Sequence, residues 1–203
     1  MKIVFLHGLG QTAQDWNPVL EQLHCTDIDC PELFLLDGQE VTYANVFAQL
    51  ERRYADTSEP IILCGLSLGA ILALDYTIRH GDQVSSLILI GVQYKVPTLL
   101  IDFQNLVFRC MPRKAFEAIG ISKADMIQLS HSMRSLDFRA KLNKVRCPVT
   151  IVCGEKDHAN KKAAKQLNAL LPQSQLYIIP GTGHELNQCA PGSIAAILNH
   201  ENG

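Results

Sequence analysis

The chain contains 203 residues, of which 47% are hydrophobic, and carries a formal net charge of −2. This length and composition predict one domain over residues 1–203 with one sizeable core, and the small charge gives no reason to expect nucleic-acid binding. The sequence enters an apolar run at Ile3, which leaves no room for a signal peptide, and no apolar run is long enough to span a bilayer. We therefore expect a soluble protein of the cytoplasm.

Apolar runs and helical periodicity alternate in the first part of the chain. Residues 3–6 form a continuous apolar run that ends in the glycine-rich sequence HGLG, as expected for a buried strand followed by a loop. A helix is predicted over about residues 15–24, with Trp16 on its buried stripe. A second strand is predicted at residues 33–36 and a second helix at residues 43–54.

Residues 60–78 predict a strand, a sharp turn and a helix. The strand is an apolar run after Pro60, and the helix begins in the Ala- and Leu-rich sequence after Ser67. Between them lies GLSLG; in such a Gly-x-Ser-x-Gly turn the serine has a strained backbone, and the small flanking residues let strand and helix nearly touch. The helix N-terminus then favours the negative charge that develops in acyl transfer. Ser67 is therefore a candidate nucleophile, although a glycine-rich turn with an incidental serine fits the same residues.

The alternation continues in the second half of the chain. Strands are predicted at residues 87–90, 149–153 and 176–179, and helices near residues 161–170 and 193–200. Continuous apolar strands that alternate with helices predict a mostly parallel sheet that is covered on both faces.

Residues 94–146 interrupt this alternation, because more than fifty residues separate the fourth predicted strand from the fifth. Their apolar residues are spaced as in two or three short amphipathic helices, which predicts a helical insertion. The segment holds ten basic and four acidic residues, a net charge of +6, which leaves −8 for the rest of the chain. Such a segment attracts anionic substrates, unless its charges only form the solvated outer faces of the helices.

A nucleophilic serine needs a base within hydrogen-bonding reach, and the base needs an orienting carboxylate. The carboxyl ends of parallel strands meet at one edge of a sheet, so the loops after the strands supply the candidates. The loop after the fifth strand reads GEKD and ends at Asp157, and the loop after the sixth reads GTGH and ends at His184. Glu155 and His158 remain alternatives in the first loop, and Asp157 also suits the N-cap of the next helix.

Serine, acid and histidine follow one another in the order Ser67, Asp157, His184, each after its own predicted strand. With GLSLG, GEKD, GTGH and the early HGLG, the sequence resembles the α/β-hydrolase family over nearly the whole chain. The resemblance implies an α/β-hydrolase fold of about six mostly parallel strands, with helices on both faces and a helical cap in the inserted segment. It also implies Ser67 as nucleophile, Asp157 as triad acid and His184 as general base, with backbone N–H groups of Leu9 and Leu68 as the oxyanion hole.

The chain departs from the family pattern in being short. Two leading strands of the family are absent, since the HGLG loop follows the first strand. The strand predicted at residues 33–36 would then lie at an exposed edge, which must be covered or paired. The sequence therefore predicts a monomer, or a homodimer that pairs through this edge.

The predicted function is a serine hydrolase that cleaves small, largely apolar carboxylic esters, because the predicted cap is rich in Leu, Ile and Phe. Two alternatives remain: a thioesterase that acts on an anionic acyl carrier, and a non-catalytic ligand-binding protein of the same fold. No cofactor is expected. The seven cysteines are predicted to be reduced thiols, and no CxxC or HExxH spacing indicates a metal site.

Overall fold

A computed structural model describes residues 1–57, 59–117 and 119–201; positions 58, 118, 202 and 203 of the predicted domain lie outside the described residues. The strands of the described residues are β1 Ile3–Leu6, β2 Ile28–Asp29, β3 Ile61–Leu66, β4 Val84–Ile90, β5 Val149–Gly154 and β6 Ser174–Ile179. They form one sheet in the order β2-β1-β3-β4-β5-β6, and every neighbouring pair is parallel.

The α-helices alternate with these strands. They are α1 Asn17–Leu20, α2 Tyr43–Tyr54, α3 Leu68–Arg79, α4 Thr98–Cys110, α5 Lys114–Glu117, α6 Lys123–Ser132, α7 His158–Leu170, α8 Leu186–Cys189 and α9 Pro191–Glu201. Short 3-10 helices lie at Ala13–Trp16, Gly81–Gln83 and Arg139–Lys144. No helix in the described part of the chain is both long and apolar enough to cross a membrane.

Each face of the sheet carries its own hydrophobic core. Val4 and Leu6 of β1 pack in the core that includes residues of α2, α3 and α7, whereas Ile3 and Phe5 pack in the core that includes residues of α1 and α9. All four side chains are fully buried, as the continuous apolar run of β1 predicts. The predicted parallel sheet with helices on both faces is therefore confirmed.

The strand predicted at residues 33–36 is wrong, because the second strand is Ile28–Asp29. The apolar run at 33–36 lies in an irregular loop, where Leu33 and Leu36 are buried in the core and the Leu33 N–H donates to His7. Hydrophobic burial, rather than strand pairing, explains this run. The actual edge strand has only two residues and offers little template for another chain, so the homodimer predicted from an edge at 33–36 loses its basis.

The helix predicted over residues 15–24 is also too long. A 3-10 helix ends at Trp16, and α1 begins at Asn17 and ends at Leu20. Pro18 lies in the first turn of α1, where its missing N–H leaves no hydrogen bond unmade. Trp16 is fully buried, as predicted.

The segment of residues 94–146 contains α4, α5 and α6, and α4 packs against α6. An antiparallel bridge joins Lys95, at its start, to Asp137, which precedes the 3-10 helix Arg139–Lys144. The Val96 N–H donates to the Leu136 carbonyl at 2.9 Å, and the Phe138 N–H donates to the Tyr94 carbonyl at 3.0 Å. The segment is therefore an insertion between β4 and β5, and these hydrogen bonds hold its base together.

Candidate active site

The turn between β3 and α3 holds Ser67 in an unusual backbone conformation. Its φ is 54° and its ψ is −110°, a combination that residues other than glycine rarely adopt. The Ser67 N–H donates to the Ile90 carbonyl at 2.9 Å, which ties the turn to the end of β4. Ser67 directly precedes α3, so the unpaired N–H groups of the first helical turn lie beside it.

Two glycines make this turn possible. A Cβ atom on Gly69 would lie 2.0 Å from the Leu6 carbonyl oxygen, and one on Gly65 would lie 2.3 Å from backbone atoms of Gly69. Carbon and oxygen atoms cannot approach so closely without a backbone shift. The sequence GLSLG therefore forms the strained strand-to-helix turn that it predicts.

Asp157 and His184 meet at the carboxyl ends of β5 and β6. His184 Nδ1 lies 2.7 Å from Asp157 Oδ2. The Asp157 side chain is 4% exposed, whereas the His184 side chain is 38% exposed. With its Nδ1 proton donated to the carboxylate, the imidazole keeps Nε2 free as a hydrogen-bond acceptor.

Asn160 completes the surroundings of the carboxylate. Its backbone N–H donates to Asp157 Oδ1 at 3.2 Å, and its side-chain Nδ2 donates to Oδ1 at 3.0 Å and to Oδ2 at 2.9 Å. Gln93 Nε2 in turn donates to Asn160 Oδ1 at 2.7 Å, which fixes the orientation of the amide. Asp157 is thus both the N-cap of α7 and the partner of His184.

These contacts set the charge of the carboxyl group. Burial by itself raises the pKa of Asp157, but the hydrogen bonds from His184 and Asn160 outweigh it and hold the pKa below its usual value. Asp157 is therefore ionised at neutral pH and keeps the imidazole in one tautomer.

Gly91, at the end of β4, leaves room for the imidazole ring of His184. Gly91 has a φ of 58°, and a Cβ atom there would lie 2.8 Å from His184 Cε1 and 3.4 Å from Asp157 Oδ2. No carboxylate follows β4, and the glycine lets the imidazole lie against the backbone instead. A side chain at this position would displace the ring.

Ser67, Asp157 and His184 line one cavity of about 330 Å³, together with Leu9 and Leu68. The structure thus brings together all five residues singled out in the sequence. The remaining lining is mostly apolar, with three carboxamides: Ile71, Val96, Ile101, Met133, Ala159, Gln93, Gln104 and Asn160. None of the described residues that line the cavity is a lysine or an arginine.

The HGLG loop that carries Leu9 is held by buried polar contacts. His7 is fully buried; its Nδ1 donates to the Gly8 carbonyl at 3.0 Å, and its Nε2 accepts from the Leu33 N–H at 3.1 Å. Burial lowers the pKa of His7, in keeping with a neutral ring that donates at one nitrogen and accepts at the other. Gln11 Oε1 also accepts from the Gly8 N–H at 3.3 Å.

Leu9, in the HGLG loop, and Leu68, at the start of α3, both line the cavity, and each has a backbone N–H group. Within the residues that the structure describes, neither group donates to another group of the chain. Both are free to bind an oxygen atom of a ligand, as the predicted oxyanion hole requires.

The alternatives in the GEKD loop do not reach the cavity. Glu155 is exposed, and its Oε2 accepts from the Gly181 N–H at 2.9 Å. His158 is exposed and does not line the cavity. Among the described residues, no three His, Cys, Asp or Glu side chains form a group that could hold a metal ion.

The sequence analysis missed Asn160, Gln93 and Gly91. Asn160 is the third residue of α7 after the Asp157 N-cap, a position that indicates helix capping and not a contact with a second loop. Gln93 and Gly91 follow β4, where only a carboxylate would have drawn attention. The position of β4 beside β5, which brings these residues to Asp157 and His184, is seen only in the structure.

The chain is similar to known proteins both in sequence and in structure. The profile described as "Alpha/beta hydrolase family" matches residues 3–196. The "Putative carbamate hydrolase RutD" of Escherichia coli K12 is 23% identical over 97% of this chain and 89% of that protein. MenH from S. aureus matches in structure with a TM-score of 0.84 at 18% identity, over 100% of this chain and 95% of that chain. A thermophilic esterase from Thermogutta terrifontis matches with a TM-score of 0.82 at 17% identity, over 98% and 88%.

At these identities the structural matches establish the fold. The profile match covers nearly the whole chain, and it agrees with the parallel sheet and with the strained serine turn between β3 and α3. The fold predicted from the sequence is therefore confirmed, and the chain belongs to the alpha/beta hydrolase family.

Proposed function

We propose that the protein is a serine hydrolase that cleaves small, largely apolar carboxylic esters through an acyl-enzyme on Ser67. One observation carries the proposal: the Asp157–His184 pair, 2.7 Å apart, opens into the same cavity as the strained Ser67. A histidine with an ionised partner and a free Nε2 beside a serine is the arrangement that activates a hydroxyl.

In this mechanism His184 Nε2 takes the Ser67 proton as Oγ attacks the carbonyl carbon of the ester. The N–H groups of Leu9 and Leu68 hold the oxyanion of the tetrahedral intermediate, each lowering the barrier by about 3 kcal/mol. His184 then donates the proton to the leaving alcohol, and the C–O bond breaks. Water repeats the sequence and releases the acid, which restores the Ser67 hydroxyl.

The lining of the cavity supports an uncharged acyl group. Its apolar side chains include Ile71, Val96 and Met133, and no lysine or arginine is among the described lining residues. An anionic group would be desolvated there without a cationic partner, at a large cost. The lining therefore favours neutral esters over the anionic acyl carrier, although the segment of residues 94–146 is basic.

Residues 94–146 act as the cap of this site in our proposal. Ile101 and Gln104 of α4 and Met133, directly after α6, line the cavity opposite the sheet residues. Gln104 makes no hydrogen bond within the described part of the chain and is free to bind a neutral carbonyl of a substrate. The cap would thus select the acyl group, and the sheet would supply the chemistry.

The test is covalent labelling followed by a substrate panel. Intact mass after incubation with a fluorophosphonate is expected to show one adduct on the wild-type protein and none on Ser67→Ala. The panel compares short neutral esters, a carbamate ester and an acyl-CoA thioester, and Ser67→Ala is expected to lower the rate on esters by about 10⁴-fold or more.

Two controls separate the outcomes. Ser193→Ala, at the start of α9, changes a serine outside the cavity and is expected to label like wild type. Circular dichroism and unfolding curves check that Ser67→Ala is folded. A folded wild-type protein without an adduct would contradict the proposal and favour the ligand-binding alternative, and a preference for acyl-CoA would contradict the ester assignment.

A further inference from the structure

The helix α4 presents an apolar stripe to solvent. Leu99, Phe103, Leu106 and Val107 are 83%, 65%, 57% and 41% exposed. Their spacing places them on one side of the helix, which we call the outer face. These are four of the eight large apolar side chains that are exposed in the described residues.

The other side of α4 faces inward. Ile101 is 4% exposed and lines the cavity with Gln104, and Asn105 is buried beside them. A surface helix normally turns its polar side to solvent, so an apolar outer face is unusual. The inner face already packs in the protein, so the outer face is left to meet something beyond the described chain.

Basic residues lie at one end of the outer face. Residues 98–117, which contain α4 and α5, hold Arg109, Arg113 and Lys114 against Asp102 and Glu117. Asp102, the acidic residue on α4, is paired with Arg134 at 2.8 Å. Arg109, Arg113 and Lys114, at and beyond the end of the helix, are exposed and make no ion pair within the described residues.

We propose that the outer face of α4 binds the surface of an anionic lipid bilayer, with the helix lying along the interface. An apolar helical stripe flanked by unpaired Lys and Arg residues is the pattern of interfacial helices, which bury apolar side chains among the acyl chains and attract anionic headgroups. The inner face of the same helix lines the cavity, so apolar substrates dissolved in the bilayer would be concentrated next to the site.

A second copy of the chain fits the outer face less well. A symmetric dimer through α4 would bury the apolar stripe but offer Arg109, Arg113 and Lys114 no free acidic residue on α4, because Asp102 already pairs with Arg134. The stripe is also a ridge on a helix surface, and a flat, deformable bilayer needs no matching groove. Charge and shape therefore favour the lipid surface over a second copy.

The experiment measures binding of the full chain to vesicles by co-sedimentation, independently of catalysis. Vesicles of phosphatidylcholine with about 30% phosphatidylglycerol are compared with pure phosphatidylcholine, at low salt and in 0.5 M NaCl. We expect the chain to bind the anionic vesicles at low salt. Binding should be about tenfold weaker to pure phosphatidylcholine vesicles, and about tenfold weaker to the anionic vesicles in 0.5 M NaCl. Ser67→Ala is expected to bind like wild type, because Ser67 plays no part in this contact.

Matched variants locate the contact. Leu99→Ser with Phe103→Ser is expected to weaken binding about tenfold or more, while hydrolysis of a water-soluble ester stays unchanged. Leu35→Ser with Leu170→Ser alters two equally large exposed leucines away from α4 and is expected to bind normally.

A second pair tests the charge. Arg113→Gln with Lys114→Gln is expected to weaken binding about tenfold, whereas Lys162→Gln with Lys165→Gln, two exposed lysines on α7, is not. Absence of binding to anionic vesicles would overturn the proposal, as would equal binding by the Leu99/Phe103 variant. Sedimentation equilibrium showing a dimer that this variant abolishes would assign the surface to self-association instead.

Discussion

The serine turn and the helical segment of residues 94–146 border the same cavity, but they are packed differently. At the turn a single added carbon on Gly69 would meet the Leu6 carbonyl oxygen at 2.0 Å. In the segment, Asn105 Oδ1 and Ser130 Oγ are buried without a hydrogen-bond partner in the described residues, and α4 exposes four large apolar side chains. Close packing holds the strained Ser67 in place, whereas the segment leaves polar atoms unpaired and apolar side chains exposed. In the proposed mechanism the sheet would carry the chemistry and the segment would select the acyl group.

The largest effect is expected at the turn. Gly69→Ala should prevent folding or lower the free energy of unfolding by at least about 3 kcal/mol, because its Cβ meets backbone atoms that cannot move alone. Urea unfolding measures this. Gly183→Ala is the control, since a Cβ there meets nothing within 4 Å. A Gly69→Ala protein of normal stability would show that the turn is less constrained than the geometry requires.

The second effect tests whether the hydrogen bonds of Asn160 fix the positions of Asp157 and His184. Asn160→Ala removes two hydrogen bonds to Asp157, so the carboxyl pKa should rise and the imidazole should lose its fixed orientation. We expect kcat to fall about 10- to 100-fold with KM nearly unchanged, and the acid limb of the pH profile to move to higher pH.

Asn168→Ala serves as the control for this prediction. Asn168 lies on the same helix, but its Oδ1 accepts from Ser174 and does not line the cavity. If Asn160→Ala lowered stability without moving kcat or the pH profile, Asn160 would have only a capping role.

The third effect is a pH dependence of stability. The pKa of His7 is lowered by burial, and the unfolded ring titrates near 6.5. Below pH 6.5 the unfolded chain therefore binds more protons than the folded protein, and the free energy of unfolding falls as the pH falls, by at most about 1.4 kcal/mol per pH unit for this one group. The slope is about half of this at pH 6.5 and vanishes about one pH unit higher.

Unfolding curves of wild type and His7→Gln at pH 7.5, 6.5 and 5.5 measure it. Glutamine keeps an acceptor for the Leu33 N–H but does not titrate, so the variant should lose less stability on acidification. Equal losses in both proteins would mean that His7 is protonated without cost in the folded state.

The same contrast explains what the sequence predicted. The strands β1, β3 and β5 were predicted because each is a continuous apolar run with a clear end, and the loops that follow them therefore located Ser67 and Asp157. The sheet edge was wrong at residues 33–36, because a loop that buries Leu33 and Leu36 has the same local composition as a strand. The local pattern of apolar residues indicates that a segment is buried. Whether the segment is a strand or a loop depends on its pairing with β1, which the local pattern does not contain.

Asn160, Gln93 and Gly91 were missed for a different reason. Each acts through a contact between loops that are distant in sequence, such as Gln93 with Asn160 or Gly91 with His184. A lone polar residue or glycine gives no local sign of such a contact. Ser67, Asp157 and His184 were singled out because each follows its own predicted strand and the three occur in the order of the α/β-hydrolase pattern.

The smallest effect concerns two serines of α6, in the segment of residues 94–146. Ser130 Oγ is fully buried without a hydrogen-bond partner in the described residues, whereas Ser132 Oγ accepts from the Tyr43 N–H at 2.8 Å and donates to the Leu129 carbonyl at 2.7 Å. Ser130→Ala removes an unpaired hydroxyl and should leave the free energy of unfolding unchanged or raise it by up to about 1 kcal/mol. Ser132→Ala should lower it by about 1 kcal/mol, because the Tyr43 N–H that begins α2 loses its acceptor. A clear loss of stability in Ser130→Ala would mean that the hydroxyl has a hydrogen-bond partner, such as a bound water.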